Sequence, residues 1–322
     1  MSSLKRNSNI ELLRIVIMFM ILLLHANFFT FKMPTDHSFI SFSRCFAEAF
    51  TLTPVNIFVL ITGFFSTVFS VKKVLSLLFQ VFFCIVTISL LLVVCGVIEF
   101  EYQFFLINNY WFINAYIGLL VFIPVLNAAV AKFSQKEFKY FLIFFYALIL
   151  VSHYIGLVGI NVALGYSIIW FIFLYMLGRY IRNHPASFSN RQLIFLIIVS
   201  CLCKSLLIFY RHDVSYIDPF IVIQSVSTLL LFSKIEFQSK RINSIAVSTT
   251  MVYLINLHPV LKVYYKDWLW VFYLNNGLIM FLFYTILLCV SIFILAIIYD
   301  KIRIYFWKKI DVMINKNWDI IF

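Results

Sequence analysis

IELLRIVIMFMILLLHANFF, residues 10–29, is hydrocarbon almost from end to end, yet it carries Glu11, Arg14 and His25. Twenty residues rising about 1.5 Å each match the roughly 30 Å apolar core of a bilayer. On an insertion scale a misplaced Arg at the centre of that core costs about 2.5–3.5 kcal/mol. The cost suggests that the three polar groups have a use. A helix turns about 100° per residue, so eleven residues from Arg14 to His25 leave a net offset near 20° and a rise of about 16 Å. Glu11 lies one turn before Arg14, and Asn7 falls on the same stripe. Arg14 alone is explained by snorkelling to the inner headgroups, and His25 alone by the outer shoulder of the membrane. Aligned polar groups inside a bundle instead line a site or pathway.

The rest of the chain fits a membrane protein. Of its 322 residues, 64% are hydrophobic and 12% charged, against about 25% charged in soluble domains. A secretory signal has an apolar core of about 7–15 residues and a small-residue cleavage site, so the longer first run is expected to be retained. The six cysteines lie mostly in apolar runs, without disulfide or zinc spacing. No metal is expected.

Apolar runs near twenty residues predict ten spans, at 10–31, 47–69, 74–98, 110–127, 139–157, 165–181, 192–210, 214–233, 245–264 and 277–299. The expected class is all-α, a polytopic bundle of about ten helices over residues 1–300. A basic amphipathic cytoplasmic tail, 301–322, lies along the inner leaflet. With the N-terminus inside, eighteen Lys and Arg fall on cytoplasmic segments and five on outer ones. By the positive-inside rule both termini are cytoplasmic, in a multi-pass protein of the inner (plasma) membrane. This distribution accounts for the net charge of +12 and removes the need for a nucleic-acid partner.

Further polar islands interrupt the spans. Pro54, Asn56 and Thr62-Gly63 mark the second, where a bend can offer backbone groups to a ligand. Asn108, Asn109, Tyr110 and Trp111 open the fourth at the outer interface, where an aromatic belt also explains Tyr and Trp. Asn114 lies deeper. Tyr253, Asn256 and His258 occupy the second half of the ninth span. Lys204, in the middle of the seventh, must pair with an acid, bind an anion or snorkel.

RNSNIELLRIVIMFMILLLH (6–25), VNIFVLITGFF (55–65), YWFINAYIGLLVFIPVLN (110–127), YMLGRYIR (175–182) and STTMVYLINLHP (248–259) together resemble the acyltransferase-3 family. Its members are integral membrane acyltransferases that modify surface polysaccharides and related glycans. The islands follow the family's order over nearly the whole chain. In two places the chain departs from it. Paired arginines after the second helix are replaced by Lys72 and Lys73, which keep the charge but not the bidentate fit to phosphate. The position after Tyr-Leu-Ile is Asn256, with His258 two residues on.

The resemblance implies transfer of an acyl group, acetyl in the first instance, from cytoplasmic acyl-CoA to a sugar hydroxyl of an extracytoplasmic or lipid-linked glycan. His25 is then the base, since an imidazole titrates near working pH. Arg14, oriented by Glu11, meets the donor phosphates, with Lys72 and Lys73 beside the donor. Asn56 and Asn114 bind the acceptor or the oxyanion, and Trp111, Asn256 and His258 complete the acceptor side. Membrane lipids are the remaining partner. A transporter or flippase of lipid-linked glycans is the alternative, although no duplicated halves with broken helices are visible. A polysaccharide polymerase would call for a larger outer loop than 32–46.

Overall fold

The computed structural model describes residues 7–102, 110–157 and 162–318, with side chains as far as 313. Asn108, Asn109 and the end of the tail lie outside the described residues. In chain order the helices are α1 (Ser8–Ala26), α2 (Phe28–Phe31), α3 (Phe39–Thr51), α4 (Pro54–Phe64), α5 (Val71–Val94), α6 (Trp111–Lys132) and α7 (Gln135–Ile155). There follow α8 (Ile168–Asn183), α9 (Asn190–Arg211), α10 (Pro219–Ser233), α11 (Lys240–Ala246), α12 (Thr249–Asn256), α13 (Leu261–Asn275) and α14 (Leu278–Trp318). No strand occurs among the described residues, so the all-α class holds.

All ten apolar runs carry helix. Among the described residues seven stretches are long and apolar enough to cross a membrane, or eight if one bent pair counts as a span. The difference from ten has local causes. α8 and α10 have 16 and 15 residues, about 24 Å or less at helical rise, which is short of a full bilayer core. The ninth run breaks after Asn256, and the helices on either side are bent by 80°. Pro259 lies in the gap; proline has no N–H to donate and clashes with the preceding turn. Beyond residue 300, the segment expected as a separate tail continues α14 without interruption as far as Trp318.

The helices gather into two compact units, Met1–Phe69 with Trp111–Asn243 and Ser70–Tyr110 with Ser244–Phe322. In the first, α4 packs on α8 and α10, α9 packs on α3 and α10, and α1 leans on α3, α4 and α10. The α4–α8 crossing depends on glycine. A Cβ on Gly63 would sit 2.1 Å from the Tyr175 carbonyl oxygen, and one on Gly178 would sit 2.4 Å from that of Leu60. Only a missing side chain allows the two backbones so close.

Polar contacts fix the direction of each helix in this unit. Asn9 Nδ2 donates to the Phe232 carbonyl at 3.0 Å, which joins the start of α1 to the end of α10. Asn56, near the start of α4, donates Nδ2–H to the Tyr216 carbonyl at 2.9 Å and accepts from Trp170 Nε1 at 3.0 Å. The starts of α4, α8 and α10 therefore share one end with the close of α1, where His25 lies. At the opposite end are Asn7, the last turn of α10 and the last turns of α4 and α8.

In the second unit, α5 and α14 pack with α12, and α13 packs along α14. Buried Asp300 accepts two bonds from Arg303, at 2.9 and 3.0 Å, and a third from Gln80 Nε2 at 3.1 Å. A buried carboxylate is tolerable only when paired and hydrogen-bonded in this way. Tyr110 OH donates to the Leu254 carbonyl at 3.0 Å.

Candidate functional site

Asn7 precedes the first residue of α1 in an extended conformation, and Glu11 lies in the first turn, where a carboxylate complements the helix dipole. Glu11 is buried, while Arg14 keeps 36% of its side chain exposed; Arg14 Nη1 approaches Glu11 Oε1 at 3.5 Å. The second carboxylate oxygen, Oε2, is buried with no hydrogen-bonding partner among the described residues. Such atoms are uncommon in folded chains. The helix thus presents a guanidinium that is held from below and open on its other side.

His25 is half-buried at the far end of α1, its ring 5.1 Å from that of Phe29, and its carbonyl accepts from Thr30 Oγ1 at 2.7 Å. Two residues on, Asn27 interrupts the helix and ties it to α3. Its Nδ2 donates to the Arg44 carbonyl and to Glu48 Oε2, both at 2.9 Å, and its Oδ1 accepts from Arg44 Nε at 3.2 Å. Glu48 is only 6% exposed, so a buried carboxylate stands beside the His25 end of α1. The sequence reading passed over it. The signal was present as a lone acid in the apolar run CFAEAF (45–50).

The other predicted residues fall in different surroundings. Asn56 is fully buried, with both ends of its amide used by Tyr216 and Trp170, which suits it to positioning rather than to direct contact with substrate. Asn114 is exposed. Trp111 is half-buried, with its ring 4.3 Å from that of Tyr166. Lys72, Lys73, Asn256 and His258 belong to the second unit. There Lys72 Nζ pairs with Asp311 at 2.7 Å and Lys73 is exposed. Asn256 is buried, and fully buried His258 has its Nε2 3.2 Å from Ser89 Oγ.

Lys204 has its answer. Its ammonium is fully buried, 3.1 Å from Asp218 Oδ2 and 3.4 Å from Asp213 Oδ2. Of the three options open to it, pairing with acids is the one adopted. Asp218 also caps α10 by accepting from the Phe220 amide at 2.8 Å.

At the Asn7 end the unit holds a cavity of about 430 Å³ lined by Asn7, Asn9, Ser233, Glu236 and Gln238, with Ile235 and Phe237. Two guanidiniums of the YMLGRYIR segment also lie toward this end. Arg182 stands 5.2 Å over the Phe64 ring, and Arg179 has a buried Nε without a hydrogen-bonding partner among the described residues. The first unit is therefore polar at both ends, with the cations Arg14, Arg179 and Arg182 toward one and an imidazole with Glu48, Arg44 and aromatic rings toward the other.

Residues 7–300 match the family model described as an acyltransferase domain, acyltransferase-3. Comparison with curated proteins and with solved structures returned no match. The family model covers most of the chain and takes in the whole α1 stripe, both polar ends of the first unit and every predicted site residue; the chain belongs to the acyltransferase-3 family, and is a membrane acyltransferase.

Proposed function

We propose that this acyltransferase moves an acetyl group from cytoplasmic acyl-CoA to a sugar hydroxyl of an extracytoplasmic or lipid-linked glycan, in the inner (plasma) membrane. The observation that carries the reading is the polarity of α1. An oriented guanidinium and an imidazole lie on one meridian of a helix, with buried Met18 and Ile21 between them, while the opposite face carries exposed Val16. Donor phosphates fit the Arg14 end because a carboxylate-held guanidinium offers a planar fork of donors, and Arg179 and Arg182 add charge at that end. The acceptor hydroxyl fits the His25 end.

The chemistry balances with these groups alone. His25 takes the proton of the sugar hydroxyl as its oxygen attacks the thioester carbon, and a tetrahedral oxyanion forms. Collapse of that oxyanion breaks the C–S bond, leaving the acyl ester on the sugar. The departing thiolate receives the proton from the imidazolium. The rise of about 16 Å between Arg14 and His25 lies within the span of an extended pantetheine arm, so the donor nucleotide need not leave its own side.

Arg14→Lys tests the donor half. It keeps the charge and loses the fork, so the acyl-CoA KM is expected to rise about tenfold while the acceptor KM stays within twofold. Steady-state rates with each substrate varied in turn measure this. An unchanged donor KM would remove Arg14 from phosphate binding.

A further inference from the structure

Beyond α1, the first unit builds an aromatic surface at its His25 end. Trp111 opens α6, Tyr166 precedes α8 and Tyr216 precedes α10, and their rings pack together, Tyr166 meeting Tyr216 edge against face. The centroids are 4.3 Å apart for Trp111–Tyr166, 5.2 Å for Tyr166–Tyr216 and 6.1 Å for Trp111–Tyr216, the last pair stacked at 30°. Tyr216 forms the floor at 5% exposure, whereas Tyr166 is 45% exposed. Apolar core packing would bury all three.

The backbone beneath is held in a costly conformation. Ala163, Leu164 and Gly165 have φ of 44°, 58° and 99° in succession, a region that residues with a Cβ rarely adopt. This turn sets Tyr166 against its neighbours. The Tyr216 amide donates to the Leu164 carbonyl at 3.0 Å, and a Cβ on Gly165 would come 2.7 Å from that of Tyr216. From the other side Asn56 holds the Tyr216 carbonyl. Strain of this kind persists only where surrounding contacts enforce it, and it concentrates at ligand clamps. An aromatic belt at a membrane interface needs neither the strained turn nor a three-ring cluster pinned through the backbone.

We propose that Trp111, Tyr166 and Tyr216 form a saccharide-stacking platform that fixes the orientation of the acceptor ring. The platform rests on the acceptor assigned under the proposed function. The negative face of an aromatic ring attracts the positively polarised C–H groups on one face of a pyranose, and exposed Tyr166 supplies a polar edge for the sugar's own hydroxyls. Tyr166, as the exposed ring, selects the acceptor and takes no part in proton transfer.

The test uses full-length protein in lipid nanodiscs and, as probe, the total surface carbohydrate released from the source cells by mild acid. Saturation-transfer NMR reads which sugar C–H protons lie against aromatic protons, and acyl transfer from labelled acetyl-CoA is followed on the same samples. The parent protein is expected to label sugar ring protons. Tyr166→Phe retains the effect, and Tyr166→Ala raises the half-saturating carbohydrate concentration about tenfold without changing the acetyl-CoA KM. Equal saturation transfer in the parent and in Tyr166→Ala, or none in the parent, overturns the platform. Saccharide binding that depends on Tyr166, with no acetyl transferred to any sugar, upholds the platform and overturns the acceptor reading instead.

Discussion

Alanine in place of His25 is expected to abolish glycan acetylation while leaving the protein in the membrane at its normal level. A positioned general base contributes about 10²–10⁴ in rate, and a methyl group offers no replacement for the ring. The side chain is only half-buried and stands at the helix end, its ring near that of Phe29, so its loss opens no large core cavity. The Asn27–Glu48–Arg44 ties that fix this end of α1 to α3 remain in place. Activity and fold therefore separate. Mass analysis of the surface glycan, beside immunoblots of the membrane fraction, measures both; normal acetylation by His25→Ala would remove the base assignment.

The second large effect concerns stability. Lys204→Ala leaves Asp218, 1% exposed, and the partly exposed Asp213 facing each other without their shared cation. Removing one partner of a buried ion pair costs about 3–5 kcal/mol, because the remaining charge stays desolvated. The expected result is a protein that aggregates on extraction or melts well below the parent in thermal-shift assays. Lys204→Met combined with Asp218→Asn is expected to recover much of the loss. It removes opposite charges together, and Asn retains an oxygen to cap α10. If Lys204→Ala melts with the parent, the buried triad contributes nothing to the fold. The triad also holds the turn that presents Tyr216, since Asp213 and Asp218 bracket it and Asn56 grips its carbonyl.

The sequence disclosed different parts of this arrangement to different degrees. The α1 stripe was legible because helical periodicity alone decides which side chains share a face, and Ser8–Ala26 is one uninterrupted helix. The partners of Lys204 were not. Nine and fourteen residues downstream, Asp213 and Asp218 reach it only because the chain reverses between α9 and α10. Glu48 was hidden for a similar reason: its burial comes from Asn27 and the packing of α1 on α3, which no local pattern encodes. Pro259 did announce the break in the ninth run, but the apolar window on both sides outweighed it. The three-ring cluster depends on a left-handed turn through Ala163 and Leu164, residues with no propensity for that conformation. Only Gly165 hinted at it.

The central claim is that donor and acceptor meet along one helix from opposite sides of the membrane. Proteoliposomes in which the protein is oriented one way, with labelled acetyl-CoA confined to the side of the α1 start and the glycan to the other, test it most directly. The account predicts labelled ester on the glycan, with free CoA thiol appearing only on the donor side. Labelling that occurs only when both substrates share a compartment would contradict it.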